Sequence, residues 1–294
     1  MTDTAIDTPT GPSILSADVA AALAAPPPPA EATTEAAGIR FHQLGWGAAD
    51  ARPLLLLHGV TSSARTWWRI GPALAAAGFR VAAPDLPGHG KTRRWLGHHR
   101  FRDNAADLVD FVRAAGLERP DLRVVGHSWG AMTAAAMPAA GFAPARLVLI
   151  DPPAVPLAAI AAILEDPVEG PYDDMEEAVH AIGGLYPTWP YGDVIAKAEG
   201  LTQFDEAAVR DVLTRNGDWD GGLGSLADPA AQDVPVWLIR GDPAFGGYVP
   251  DELLPEFAAR LGADRVVTIA GAPHSPQRTH PEALVRALLR ALDD

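Results

Sequence analysis

The sequence predicts an α/β fold, in which helices flank a mostly parallel central sheet and a helical segment is inserted late in the chain. Strand-like and helix-like patterns alternate from about residue 39 onward, which is typical of a parallel sheet covered on both faces. One strand pattern is the continuous apolar run Leu54-Leu-Leu-Leu57, as expected for a strand that is buried on both sides. Between residues 152 and about 230 the alternation stops, which predicts the insertion.

Each core element has a local signal in the sequence. The first strand pattern, Ile39 to Gly47, is expected at an antiparallel edge, and two predicted helices end at Gly78 and Gly116 because glycine commonly follows a helix. The predicted core elements are strands at 39–47, 53–57, 80–84, 122–127, 146–150, 236–242 and 266–274, and helices near 63–77, 101–115, 129–140 and from 281 onward.

The most informative segment is the strand pattern that runs into Gly126-His-Ser128-Trp-Gly130 and then into an Ala-rich helix. A sharp strand-to-helix turn crowds its neighbours, so glycines are needed two residues before and two residues after the central serine. Such a turn leaves the Ser128 hydroxyl at the tip of the sheet, above a helix N-terminus whose free amides favour negative charge. This motif predicts a nucleophilic serine.

The chain resembles the α/β-hydrolase family over about residues 40 to 294, apart from a divergent middle. Before the serine turn, the apolar strand ends in His58-Gly59, and the segment 81–90 resembles the next strand and tight turn of the family. After the insertion, one strand ends in an acid and the last one ends in a histidine. The three candidate catalytic residues follow in the family's order along the chain: Ser128, Asp242, His274.

The resemblance implies a role for each of these residues. A serine hydroxyl is a poor nucleophile at neutral pH, so a neutral imidazole, here His274, must take its proton and later return it to the leaving group. The backbone amides of Val60 and Trp129 are expected to form the oxyanion hole. The family members that act on epoxides and haloalkanes are disfavoured, because similar folds with those activities have an aspartate where Ser128 stands.

The acid that orients the imidazole has two candidates. Asp242, at the end of the penultimate predicted strand, is preferred. It departs from the family pattern because Gly241 and Asp242 are adjacent, whereas one or two residues usually separate that glycine from the acid. Asp151, which ends the strand after the serine turn, is the alternative, since some family members take their acid from that position.

The domain organisation is expected to have three parts. Residues 1–38 are rich in Thr, Ala and Pro and are predicted to be a disordered leader. Residues 39–151 and 231–294 form the α/β core, and residues 152–230 form a helical cap over the site. Aromatic residues of the predicted cap could line a substrate pocket: Tyr172, Tyr186, Trp189, Tyr191, Phe204 and Trp219.

The composition of the chain limits which binding partners and cofactors are expected. The formal net charge of −14 disfavours nucleic acid and anionic membranes. No stretch has the length of a membrane span, no signal-peptide pattern occurs, and a cytoplasmic protein is expected. The chain has no cysteine, no metal-ligand spacing and no phosphate-binding glycine loop, so neither a metal nor another cofactor is predicted. Oligomeric state has no signature in the sequence.

Three functions are compatible with these patterns. The preferred one is hydrolysis of a small carboxylic ester or lactone through an acyl-enzyme. The same residues could serve a C–C bond hydrolase or an acyltransferase, and a non-catalytic relative that binds a small ligand is the third possibility. The basic segment Lys91 to Arg102 is most simply a solvated loop, or else a clamp for an anionic substrate.

Overall fold

The computed structural model describes residues 14–166 and 168–293. Eight strands form one sheet in the order β1-β2-β4-β3-β5-β6-β9-β10, and β7 pairs with β8 in a separate two-residue ladder. The strands are β1 (Ala30–Ala36), β2 (Ile39–Trp46), β3 (Arg52–Leu57), β4 (Phe79–Pro84), β5 (Arg123–His127), β6 (Arg146–Ile150), β7 (Ala154–Val155), β8 (Trp219–Asp220), β9 (Val236–Arg240) and β10 (Val266–Thr268). The predicted α/β fold is therefore confirmed.

The sheet is antiparallel at one edge and parallel elsewhere. β2 runs antiparallel to both β1 and β4, whereas β4, β3, β5, β6, β9 and β10 are parallel. The carboxyl ends of β5, β6 and β9 are neighbours, since Ile150 pairs with His127 on one side and with Ile239 on the other. Ligands of open α/β sheets bind beyond this edge.

Two apolar layers cover the sheet, one on each face. Leu55 and Leu57 of β3 belong to one layer, and Leu54 and Leu56 belong to the other, because successive side chains of a strand point to opposite faces. All four leucines are fully buried.

The helices that complete the fold are α1 (Ala17–Ala24), α2 (Ile70–Ala76), α3 (Phe101–Ala114), α4 (Trp129–Ala136), α5 (Leu157–Ala161), α6 (Met175–Leu185), α7 (Tyr191–Thr202), α8 (Glu206–Thr214), α9 (Leu223–Leu226), α10 (Leu254–Leu261), α11 (Pro276–Thr279) and α12 (Pro281–Asp293).

Helix sequences explain which helix covers which face. α3 buries Leu108, Val109, Phe111 and Val112 and belongs to the same layer as α4. α12 repeats apolar residues at the spacing of one helical face, and its buried residues pack with α1 and α2 in the other layer. The parallel core thus has helices on both faces, as expected from the alternating pattern.

Five helices, α5 to α9, lie between β6 and β9, where the sequence predicted a helical insertion. Two of them begin with an aspartate that accepts a backbone hydrogen bond: Asp174 from the amide of Glu177, and Asp205 from the amides of Ala207 and Ala208. The insertion also contains the short ladder between β7 and β8, although no strand was expected there. The ladder joins the first residues of the insertion to its last third.

The predicted disordered leader is wrong for the part that the structure describes, and residues 1–13 lie outside that part. Ser16 begins α1 by accepting a hydrogen bond from the amide of Val19, and Val19 is 2% exposed in the apolar layer beside α2. Residues 30–36 form β1, which pairs along its whole length with β2. Pairing with β2 and packing against α2 therefore order a segment whose composition alone indicated disorder.

A search of the described residues finds no helix that combines the length and the apolar character needed to cross a membrane.

Candidate active site

Ser128 lies in the tight turn between β5 and α4, with φ of 55° and ψ of −122°. The flanking glycines are needed for steric reasons. A Cβ atom on Gly126 would lie 2.2 Å from the carbonyl oxygen of Gly130, and a Cβ atom on Gly130 would lie 2.5 Å from the carbonyl oxygens of Leu57 and His58. The turn therefore packs against the end of β3, and only glycine fits at these two positions.

Ser128, His274 and Asp151 form a continuous line of hydrogen bonds. His274 Nε2 lies 2.9 Å from Ser128 Oγ, and His274 Nδ1 lies 2.6 Å from Asp151 Oδ2. The fully buried Asp151 carboxylate also accepts hydrogen bonds from the amides of Gly241 and Tyr248, each at 2.9 Å. Because both carboxylate oxygens act as acceptors, His274 Nδ1 is the donor. The unprotonated Nε2 then faces the Ser128 hydroxyl.

The sequence preferred Asp242 as the partner of His274, and the structure corrects this preference in favour of the alternative, Asp151. Asp242 Oδ1 accepts a hydrogen bond from the amide of Ala244 at 3.0 Å, and Oδ2 accepts one from the amide of Gly271 at 3.0 Å. The carboxylate thereby begins the 3₁₀ turn at Pro243–Phe245. With only Gly241 between β9 and this turn, Asp242 is held by local amides rather than by the imidazole.

The predicted oxyanion donors, the amides of Val60 and Trp129, flank the serine. Trp129 follows Ser128 directly, and Val60 follows Gly59, on which a Cβ atom would lie 3.5 Å from Ser128 Oγ. Within the part of the chain that the structure describes, neither amide donates to a backbone carbonyl. Both amides therefore remain available as the predicted oxyanion donors.

His58 sets the direction of the Val60 amide. His58 Nε2 accepts a hydrogen bond from the amide of Leu86 at 2.9 Å, so Nδ1 carries the proton and donates to the Gly59 carbonyl at 2.8 Å. The Gly59–Val60 peptide is trans, so its N–H points away from its carbonyl and hence away from His58. Burial lowers the pKa of His58, which favours this neutral form.

His127 has a structural role that sequence reasoning missed. Its Nε2 donates a hydrogen bond to the backbone carbonyl of His274 at 2.8 Å, and the two rings lie 4.8 Å apart. Burial, together with the neighbouring His274, lowers the pKa of His127 well below its usual value. The residue before Ser128 thus helps to position the backbone of His274. Its place in the sequence gave no signal of this contact, because the two residues are far apart along the chain.

Two charged residues of the insertion bind the loop that carries Val60. Lys197 Nζ lies 2.5 Å from Glu169 Oε2 and also contacts the carbonyl and hydroxyl oxygens of Thr61 at 3.4 and 3.3 Å. The Thr61 hydroxyl donates to Glu169. Since Thr61 has a positive φ of 54°, this ion pair supports a strained residue beside Val60.

The six aromatic residues of the predicted cap separate into different environments. Tyr186 and Trp189 stack at 4.0 Å, and the guanidinium of Arg278 lies 5.3 Å from the Trp189 ring. Trp219 is buried against Phe101. Among the others, Tyr191 is 71% exposed, Phe204 packs against the apolar core, and Tyr172 is half-buried. Tyr248, outside the insertion, stacks on the His274 ring at 4.3 Å.

The first part of the basic segment at 91–102 contacts the antiparallel edge of the sheet. Lys91 Nζ lies 2.7 Å from Glu31 Oε2, and Arg94 donates to the carbonyl of Gly38 at 2.7 Å. These two cations bind the residues of β1 and of its turn into β2, which favours a structural role over an anion clamp. No group of three or more metal-ligating side chains with suitable geometry occurs in residues 14–166 and 168–293.

Comparisons with known proteins agree with this geometry. Residues 54–287 match the alpha/beta hydrolase family. The lipase LipV of Mycobacterium tuberculosis is 30% identical over 254 residues, which cover 77% of this chain and 87% of LipV. Epoxide hydrolase B of the same organism is 37% identical over 101 residues, but this alignment covers 33% of this chain and only 28% of that relative.

Solved structures extend the likeness to the three-dimensional fold. The crystal structure of E-2-(acetamidomethylene)succinate hydrolase superposes with a TM-score of 0.76 at 21% identity, covering 90% of this chain and 100% of that one. At such low identity the likeness concerns the fold alone. Together with the match over residues 54–287, it leads to one conclusion: this chain belongs to the alpha/beta hydrolase family.

Proposed function

We propose that this chain is a serine hydrolase that cleaves a small carboxylic ester or lactone through an acyl-enzyme on Ser128. The proposal is carried by the line of hydrogen bonds from Ser128 through His274 to the buried Asp151. Its geometry supplies a nucleophile, a base and an orienting acid in the arrangement that acyl transfer requires. The alignment with a relative named a lipase, which extends over most of that relative, supports ester chemistry.

The reaction would proceed in two halves. His274 Nε2 takes the hydroxyl proton as Ser128 Oγ attacks the substrate carbonyl carbon, and the amides of Val60 and Trp129 stabilise the resulting oxyanion. Nε2 then gives that proton to the leaving alcohol oxygen, and the acyl-enzyme remains. Water attacks the acyl carbon with His274 again as base, which releases the acid and restores Ser128. Throughout, Asp151 accepts the hydrogen bond from Nδ1–H and stabilises the imidazolium.

A serine at this position argues against epoxide or haloalkane substrates. Attack of a hydroxyl on an epoxide or alkyl halide carbon would form an ether, which has no carbonyl group for water to attack. The enzyme would then be blocked after one turnover. Acyl transfer to serine instead gives an ester, which water can cleave with the same imidazole.

We also propose that residues 152–230 act as a cap over this site. Support comes from the contacts of Glu169 and Lys197 with Thr61, which follows the oxyanion residue Val60. A substrate would then be enclosed between the sheet edge and the insertion, where water is partly excluded.

Covalent labelling with a small fluorophosphonate tests the catalytic proposal. Intact-mass spectrometry should detect one adduct on the native protein and none on Ser128→Ala. Asp151→Asn should slow labelling by roughly 10³- to 10⁴-fold, because the amide favours the wrong imidazole tautomer. Asp242→Asn is the matched control and should change the rate by less than about tenfold, since Asp242 contacts only backbone amides.

Two results would contradict the proposal. A native protein that is not labelled, and hydrolyses none of a panel of small esters and lactones, would favour a ligand-binding relative without catalysis. Slow labelling in Asp242→Asn together with normal labelling in Asp151→Asn would make Asp242 the acid after all.

A further inference from the structure

Arg278 is a buried cation without a carboxylate partner among the described residues. The residue is only 7% exposed to solvent. Its polar contacts are hydroxyl oxygens, Ser275 Oγ and Thr66 Oγ1, each at 3.4 Å, and its buried Nε has no hydrogen-bond partner. A buried charge is costly unless it is paired, so a guanidinium held in this way indicates a missing anion.

Arg278 lies beside the catalytic groups. It follows His274 by four residues and belongs to the short helix α11, whose buried Gln277 contacts His127. On its other side, its guanidinium lies 5.3 Å from the ring of Trp189, which belongs to the insertion. The Arg278 side chain therefore stands between the segment that carries His274 and the insertion.

The other cations of this region already have anionic partners. Arg69 pairs with Asp193, which also accepts a hydrogen bond from Trp68 Nε1. Lys197 pairs with Glu169. These two pairs are neutral as units, whereas Arg278 adds a positive charge. Burial lowers the pKa of Arg278 and the charges of Asp193 and Glu169 raise it, but neither carboxylate lies within salt-bridge distance of the guanidinium in the described chain. Burial lowers the pKa of Lys197, and the Arg278 charge lowers it further, which agrees with their proximity.

We propose that Arg278 binds a carboxylate group of the substrate, so that the ester or lactone cleaved at Ser128 is an anionic one. This inference rests on the proposed function. The planar guanidinium fork matches a carboxylate with two parallel hydrogen bonds. Binding would give the unsatisfied Nε or the weakly bonded terminal nitrogens a charged acceptor in place of distant hydroxyls. The Trp189 ring face would hold the fork in position.

Paired substrates, one anionic and one neutral of similar size, test the inference. One pair places the carboxylate in the acyl group: the 4-nitrophenyl monoester of adipic acid and 4-nitrophenyl hexanoate. The second pair places it in the leaving group: 4-acetoxybenzoate and 4-acetoxybenzamide. The readout is the ratio of kcat/KM for the anionic ester to that for the neutral ester. Native protein, Arg278→Gln, Arg278→Lys and the surface control Arg286→Gln are compared.

In Arg278→Gln the ratio should fall by about 10- to 100-fold for at least one pair, as expected for the loss of a charge-assisted hydrogen bond. Arg278→Lys should retain part of the preference for the anionic ester, because lysine keeps the positive charge but lacks the planar guanidinium group that can donate two parallel hydrogen bonds. Arg286→Gln should retain the native ratio, since Arg286 lies on α12 and pairs with Glu282. Because each ratio is internal to one protein, a general loss of activity does not imitate this result.

The outcomes separate the two proposals. Ser128-dependent hydrolysis with equal ratios in all four proteins would overturn the role of Arg278 and leave the proposed function standing. If no ester is cleaved and Ser128 is not labelled, the proposed function fails, and ligand-induced stabilisation decides the binding claim. In that case adipate, but not the neutral adipamide, should raise the Tm of the native protein and of Arg286→Gln but not that of Arg278→Gln. Equal shifts in all three proteins would overturn the inference.

Discussion

Backbone strain in the described chain is concentrated beside Ser128. The non-glycine residues with positive φ there are Ala37, Thr61, Ser128 and Asp151. Three of these four contribute to the candidate site, and each such conformation costs on the order of 1–3 kcal/mol unless the surroundings impose it. Around Ser128, the conformation is imposed by Gly126 and Gly130, which lie in close contact with neighbouring backbone atoms. Tight packing therefore keeps the serine in its unusual conformation.

Adding a methyl group at Gly126 should destabilise the protein strongly. A Cβ atom there would meet backbone atoms of Gly130 and Ala131 at 2.2 to 2.6 Å, so the turn would have to open. We expect Gly126→Ala to lower the free energy of unfolding by about 3 kcal/mol or more and to slow fluorophosphonate labelling. Gly184→Ala is the matched control. Gly184 lies in α6 with open space at its Cβ position, so this change should raise stability by about 0.5–1 kcal/mol.

Urea unfolding, followed by circular dichroism, would measure both variants. An equal effect of the two alanines would mean that the serine turn relaxes without cost. The steric explanation of the glycine pair would then be wrong.

Among the elements, α1 and β1 show how tertiary contacts organise a segment with weak local signals. β1 extends the sheet at its edge through β2, and Glu31 of β1 binds both Lys91 and His42. α1 places Val19 in the apolar layer that also contains α2 and α12. A segment rich in alanine and proline thus closes one face and one edge of the core.

Val19→Ala should therefore destabilise the whole protein. The lost apolar contacts predict a decrease of about 1–2 kcal/mol in the free energy of unfolding. Ala20→Ser, in the same helix at an exposed position, is the control and should change stability by less than about 0.5 kcal/mol. Thermal unfolding in a calorimeter would measure both. If Val19→Ala unfolds like the native protein, α1 does not contribute to the cooperative core.

At the scale of the whole molecule, the core holds several histidines in the neutral form. Burial lowers the pKa of His58 and of His127, and burial lowers the pKa of His89 to about 3. His42 differs, because its hydrogen bond to Asp85 raises its pKa. In the unfolded chain all of these residues titrate at about pH 6.5. The folded and unfolded states therefore take up protons over different pH ranges.

This difference predicts that stability decreases as the pH falls below about 6.5. The unfolded state then binds protons that the buried neutral histidines cannot accept, so each such residue contributes a slope of up to about 1.4 kcal/mol per pH unit. His42 has the opposite sign. Its contribution is fully present below about pH 6.5 and is lost as the pH rises through its raised folded pKa.

The slope can be measured by chemical unfolding at several values between pH 6.5 and 5, above the range in which most carboxylates titrate. His89→Gln should reduce the slope by up to about 1.4 kcal/mol per pH unit. His180→Gln, which changes an exposed residue of α6, is the matched control. The linkage explanation would be wrong if both variants changed the slope equally.

Local patterns determined much of this protein. The apolar run of β3, the paired glycines around Ser128 and the helix-ending glycines depend on neighbouring residues, so the α/β fold and most element positions could be predicted from the sequence. Val60, Trp129, Ser128 and His274 could be placed near one another because parallel strands end at a common edge. Their catalytic roles stay a prediction for the labelling experiment.

Which side chains meet became known from the three-dimensional arrangement. Asp151 and Asp242 both follow strands at the same edge, and the difference between them is one of side-chain direction: amides hold Asp242 in a turn, while Asp151 reaches His274. Arg278 became a candidate only when its burial and its neighbours were known. Contacts between residues far apart along the chain depend on packing and rotamers, which a one-dimensional pattern does not encode.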